Sequence, residues 1–177
     1  MKRFSFWLLP DKEIQAVYQP IIDLWSRKLK TPNFEPHITI TTNAMLKGEE
    51  KSVMQVVGSV IKNLQPIPIE FSEVSVSTTW AQCVFARVKP NYELLLANQY
   101  IKSAAGHPDP SMYTPHMSLV YGNLDLKQRL EIAENITLPL TKFVARKICI
   151  VPADVRNPKT WKHLAEFELK KKAIIRV

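Results

Sequence analysis

Apolar and polar positions along this chain alternate in two periods, and the period changes wherever proline, glycine or asparagine interrupts the run. Arg3 to Leu9 is a short, nearly continuous apolar stretch closed by Pro10, which predicts a buried strand. From Asp11 to Lys28 apolar residues return at helical spacing after an acidic start, so that Ile14, Val17, Tyr18, Ile21, Ile22 and Trp25 share one face. Pro32 and Asn33 mark a loop, and His37 to Thr42 alternates as a strand. Gly48 to Leu64 predicts a second amphipathic helix with Val53, Val56, Val57, Val60, Ile61 and Leu64 as its stripe, and Ile67 to Ser77 predicts a further strand.

The order then repeats: strand 82–89, helix 92–105, a loop containing GHPDP, strand 116–121, helix 126–135 and strand 141–151. A last strand over 163–169 would close one of the sheets. Phe4 lies 33 positions before His37, and Val84 lies 32 before His116, so the spacing repeats along with the order. An internal duplication accounts for both. Alternating strands and helices also suit a doubly wound parallel sheet, but no glycine-rich phosphate loop follows the first strand and the chain has only four glycines. The expected architecture is therefore α+β. Two pseudo-symmetric lobes, each a mostly antiparallel sheet with helices on its outer face, would flank an active-site cleft within one bilobal domain spanning 1–177, with halves near 1–80 and 81–177.

Composition narrows the setting. With 177 residues, 46% of them hydrophobic, the chain can bury a sizeable core. No window approaches the ~18 consecutive apolar residues of a membrane span, and the apolar run in MKRFSFWLLPDKEI is too short for a secretory signal. The expectation is a soluble monomer with no membrane partner, cytoplasmic or alternatively nuclear. Cys83 and Cys149 both fall in apolar strand-like runs, which argues against a disulfide framework and a cysteine metal site. A formal net charge of +8 suits an anionic partner, phosphate or nucleic acid, although Lys170, Lys171 and Lys172 also read as a solvated tail.

The candidate chemistry is written twice. FEPHITITT at 34–42 and YTPHMSLVY at 113–121 share the frame aromatic, any residue, Pro, His, apolar, Thr or Ser, apolar. From composition, its five-residue core arises by chance roughly 0.01 times in a chain of this size. In a strand, residues i and i+2 share a face about 6.6 Å apart, so His37 projects with Thr39 and His116 with Ser118. Pro36 and Pro115 hold the preceding residues extended. Two imidazoles flanking two hydroxyls form a cradle for one phosphate, with hydroxyls for the non-bridging oxygens and histidines for proton transfer near neutral pH. The chain lacks HExxH, paired cysteines and any Asp-rich motif, so no metal and no cofactor is expected.

PHIT and PHMS on duplicated halves resemble the paired His-x-Thr/Ser motifs of the two-histidine (2H) phosphoesterase superfamily. Within it, FSFWLLP, FEPHITI, QCVF and TPHMSLVY resemble the small cyclic nucleotide phosphodiesterases of plants and fungi, in order along nearly the whole chain. The resemblance implies metal-independent opening of 2′,3′-cyclic nucleotides to 2′-phosphates, and of ADP-ribose 1″,2″-cyclic phosphate, a by-product of tRNA splicing, to ADP-ribose 1″-phosphate. It also implies His37 and His116 as catalytic residues, with Thr39, Ser118 and Tyr121 binding the phosphate. The alternatives are an RNA phosphodiesterase or 2′,5′-RNA ligase-like enzyme acting on RNA ends, which the charge suits, and a nucleotide- or RNA-binding module without turnover.

A nucleotide base needs an aromatic surface, for which Trp7, Trp80, Trp161 and Tyr113 are candidates, with core packing as the alternative for Trp7. His107 reads as an exposed loop residue and the loop 103–114 as a candidate lid. Arg156 and Lys159 could steer phosphate by charge, and His163 reads as structural.

Overall fold

The computed structural model describes residues 2–46, 50–106, 112–153 and 157–170. Its elements in chain order are β1 (Lys2–Leu9), α1 (Lys12–Leu29), β2 (Ile38–Leu46), α2 (Glu50–Ile61), β3 (Ile67–Val76), β4 (Val84–Val88), α3 (Tyr92–Ala104), β5 (His116–Val120), α4 (Leu126–Glu134), β6 (Lys142–Ala145), β7 (Lys147–Pro152) and β8 (Ala165–Glu168). A 3₁₀ turn at Pro158–Thr160 precedes β8. The helix ends follow local chemistry. Asn91 caps α3 by accepting from the Leu94 N–H, Asp125 and Gln128 form a capping box on α4, and Lys30 turns left-handed to end α1.

All these strands join one antiparallel sheet in the order β6-β3-β4-β5-β2-β1-β7-β8. Its two pseudo-symmetric groups of four meet at β2 and β5, where a single register pair, Ile38 opposite Met117, links them. This is the expected α+β arrangement of two antiparallel lobes. The lobes do not coincide with the two halves of the chain, however. β3, from the first half, pairs with β4 of the second, and β7, from the second half, pairs with β1 of the first. The predicted strand 141–151 is in fact two strands, because the backbone breaks at Arg146 and passes from the lobe of β3 to the lobe of β1. The Arg146 guanidinium holds that break, 3.0 Å from Asp11 and 3.2 Å from the Val144 carbonyl.

Alternation along β1 explains how it can sit mid-sheet. Phe4, Phe6 and Leu8 enter the main core, while Trp7 and Leu9 pack with Cys149 and Val151 on the opposite face. The main core unites Tyr18 of α1, Val57 and Ile61 of α2, Leu94 and Ile101 of α3 and Ile132 of α4 with the facing sides of the strands. The predicted helix stripes are narrower than the sequence suggests: Val17 and Val56 are exposed. In α2, Gly58 lies against Phe167 of β8, where an added Cβ would sit 2.7 Å from the ring, so a side chain there would require the Phe167 ring to shift.

Candidate active site

The repeated frame produces the same local geometry twice. The Nδ1 of His37 lies 2.8 Å from the carbonyl of Glu35, and that of His116 lies 2.8 Å from the carbonyl of Thr114. A carbonyl only accepts, so each Nδ1 carries the ring proton and each Nε2 keeps its lone pair. The extended residue preceding each proline supplies that carbonyl, which is the structural use of Pro36 and Pro115. Gln82 makes a longer contact, 3.4 Å, to the same nitrogen of His116.

Both histidines line one cavity of about 190 Å³ between the lobes, together with Thr39, Tyr121, Trp7 and Trp161. Each imidazole also has an aromatic neighbour on the first strand of its own repeat. Trp7 lies parallel to His37 with centroids 3.7 Å apart, and Phe85 meets His116 edge-on at 5.3 Å. Burial takes the pKa of His37 down to about 4, with the charges of His116 and His163 acting in the same direction and the Glu35 carbonyl opposing. His116 is lowered as well, by burial first and by Arg87, against the Thr114 carbonyl. At neutral pH the cavity thus holds two uncharged imidazoles, each with an unprotonated Nε2.

Tyr121 closes one side. Its ring packs between Phe34 at 3.9 Å and Trp80 at 4.9 Å, and its hydroxyl lies 3.5 Å from Nε2 of His37. Burial pushes its phenol well above the ordinary range, with the Ser118 hydroxyl opposing, so Tyr121 is a hydrogen-bond donor across the physiological range.

The predicted site residues thus separate into two groups. His37, His116, Thr39, Tyr121, Trp7 and Trp161 line the cavity. Ser118 is buried behind it, donating to the Ala81 carbonyl at 2.7 Å. Trp80 backs Tyr121, and Tyr113 packs on the core while donating to the Thr39 carbonyl at 3.0 Å, so neither presents a face to the cavity. Trp7 is buried and lines the cavity, and both readings of it hold together. His163 is paired with two carboxylates, and Lys159 is exposed in the 3₁₀ turn. His107, Arg156, Lys171 and Lys172 lie outside the described residues, as does the rest of 107–111 in the loop 103–114.

Four polar lining residues, Ser5, Thr42, Thr79 and Gln82, escape the sequence pattern. Strict alternation from His37 would place Thr41 with Thr39 on the cleft face. Register shifts between β1 and β2 intervene between Phe4 and Trp7. Thr41 is consequently buried, and Thr42 lines the cavity beside Ser5, their hydroxyls 2.5 Å apart. Among the described residues no group of three or more His, Cys, Asp or Glu is placed to hold a metal ion, and no helix is long and apolar enough to cross a membrane.

The profile of the family described as cyclic phosphodiesterase-like protein matches residues 1–169. The cyclic phosphodiesterase of Arabidopsis thaliana is 24% identical over 173 residues, 94% of each chain. Two crystal structures share the fold across nearly their whole length. LigT of E. coli, complexed with phosphate, has TM-score 0.61 at 15% identity and covers 96% of this chain and 98% of its own. TT0787 of Thermus thermophilus has TM-score 0.64 at 13% identity, covering 95% and 98%. The chain belongs to the cyclic phosphodiesterase-like family.

Proposed function

We propose that this member of the cyclic phosphodiesterase-like family hydrolyses 2′,3′-cyclic nucleotides to nucleoside 2′-phosphates, and ADP-ribose 1″,2″-cyclic phosphate to ADP-ribose 1″-phosphate. His37 and His116 exchange the protons and no metal takes part. The observation that carries this reading is the paired geometry: two histidines, each tied through Nδ1 to the carbonyl two residues earlier and so with Nε2 free of that bond, line one small cavity.

A cyclic phosphate in that cavity places phosphorus between the two rings. One Nε2 takes a proton from water as its oxygen bonds to phosphorus, and the other, protonated, delivers its proton to the departing ribose oxygen as its bond to phosphorus breaks, O3′ in a 2′,3′-cyclic nucleotide and O2″ in ADP-ribose 1″,2″-cyclic phosphate. The remaining water hydrogen stays on the new phosphate oxygen, and the second histidine regains a proton in exchange with solvent. The phosphate anion itself supplies the charge that favours protonation of one imidazole, against the burial that lowers both. Thr39 and the Tyr121 phenol are donors for the non-bridging oxygens, and Ser118 joins them by turning its hydroxyl from the Ala81 carbonyl. Trp161 and Trp7, which both line the cavity, offer the base an aromatic wall.

Incubation with 2′,3′-cyclic nucleotides, ADP-ribose 1″,2″-cyclic phosphate and a short RNA ending in a cyclic phosphate, with products identified by ³¹P NMR, tests the reading. Nucleoside 2′-phosphates and ADP-ribose 1″-phosphate are expected. Turnover confined to the RNA would move the assignment to an RNA-end enzyme, and no turnover at all would leave a binding module.

A further inference from the structure

We propose that Glu35 and His163 form a positioning latch that sets the orientation of His37 and seats Trp161 over the cavity; the proposal rests on the proton-transfer role given to His37 above. His163 Nε2 lies 2.5 Å from the Glu35 carboxylate, although 128 positions separate the two residues. Glu35 is the residue whose backbone carbonyl accepts from His37 Nδ1. Its side chain and its main chain therefore hold different objects: the carboxylate grips the segment before β8, and the carbonyl sets the tautomer and angle of the imidazole.

The other end of the latch carries the cavity wall. Trp161 stands two residues before His163 and packs edge-on against Trp7 at 5.1 Å, Tyr121 at 5.8 Å and His37 at 5.9 Å. The segment between the 3₁₀ turn and β8 is short, so anchoring His163 fixes where the indole can lie. A second carboxylate, Glu166, takes Nδ1 of His163 at 2.7 Å. With a carboxylate on each ring nitrogen, the imidazole must donate twice, which only its protonated form does. Burial alone would lower its pKa, but Glu166 and Glu35 outweigh burial and raise it. Around this ring, Lys147 lies 2.9 Å from Glu166 and 3.6 Å from Glu168, and Asp11 and Lys12 line the same depression.

The latch is one-sided. In the second repeat Thr114 stands where Glu35 stands in the first, and its short neutral side chain offers no carboxylate to grip a distant segment. The device therefore distinguishes two histidines whose sequence frames and Nδ1–carbonyl contacts are alike. Both partners are partly exposed, at 26% and 32% of their side-chain surface, which limits what the pair adds to global stability. A large catalytic effect would therefore reflect positioning.

Glu35→Gln, His163→Gln, their combination and His163→Lys, which keeps a cation opposite Glu35, test this together with the wild type. The readouts are kcat and KM on 2′,3′-cyclic AMP across pH, inorganic phosphate affinity, thermal stability and the ¹⁵N–¹H NMR signature of the His37 tautomer. Glu35→Gln and His163→Gln should each lower kcat/KM by about 10- to 100-fold. The double variant should be no worse than the poorer single, and the His37 Nδ1–H signal should broaden or weaken. In the wild type the advantage should fade as pH rises through the pKa of His163; in His163→Lys it should persist to higher pH. Additive losses, or losses of thermal stability with the tautomer signal and kinetics unchanged, would overturn the latch. If the wild type turns over no cyclic phosphate, the proposed reaction fails separately, and an unchanged His37 signal and phosphate affinity in the variants would sink the latch on their own.

Discussion

The imidazole of His37 lies flat on the indole of Trp7, with centroids 3.7 Å apart and planes 13° from parallel. The indole shields one face of a ring that accepts a proton in the proposed reaction, and burial of the imidazole is the largest cause of the lowered pKa that keeps His37 uncharged at neutral pH. Trp7→Ala should cost about 3–5 kcal/mol of stability, as removal of a buried aromatic does. It should also return the His37 titration toward its ordinary value, read by NMR. Trp7→Phe keeps an apolar cover and should preserve most of the depression.

His37→Ala and His116→Ala should each reduce turnover of 2′,3′-cyclic nucleotides by at least about 100-fold, the scale of a lost acid or base. Circular dichroism and the unfolding temperature should show both variants folded. EDTA should leave wild-type kcat unchanged. Retention of most of the activity in either histidine variant, or its loss to EDTA, contradicts two-histidine catalysis.

Tyr121→Phe removes only the hydroxyl that lies 3.5 Å from His37 Nε2, because Phe34 and Trp80 still enclose the ring. Thermal stability should change little. Affinity for inorganic phosphate should fall roughly tenfold or more, the scale of a hydrogen bond to a charged group, and isothermal titration would measure it. An unaltered affinity would remove Tyr121 from the phosphate site.

The histidines also set a pH dependence of stability. Unfolded His37 binds its proton near pH 6.5, whereas the folded protein delays binding until about pH 4. Between those values the unfolded state holds more protons, so stability should fall as pH drops through that window. His116, lowered as well, contributes with the same sign. His163 acts oppositely: its raised pKa gives stability that is present below its ordinary value and lost as pH rises through its folded value. Chemical denaturation across roughly pH 4–8 in the wild type and His37→Gln should show a shallower acid limb in the variant.

Filling the cavity with phosphate should reverse the depression of both histidines, because an adjacent anion favours the charged imidazole. Saturating inorganic phosphate should move both NMR titrations upward, and Thr39→Ala should blunt that response. Titrations unmoved by phosphate would mean that the anion binds elsewhere.

The sequence by itself determined the elements and the two histidine frames that meet at the cavity. Strand and helix periods are local properties, so nearly all the predicted elements exist within a few residues of their expected limits. The frame Pro-His-x-Thr/Ser fixes, within five residues, a strand start, the carbonyl that orients the ring and the face on which His37 and Thr39 project. What spans the molecule was not legible. Pairing of β3 with β4 and β7 with β1 depends on contacts between distant strands, and the break at Arg146 is a consequence of that exchange. The register shifts that bring Thr42 into the cavity, and the turn of Ser118 toward Ala81, likewise arise from what faces each strand. His163 reads as structural from the sequence, but nothing near it there marks its partner; only the return of β8 to β7 carries its ring to Glu35.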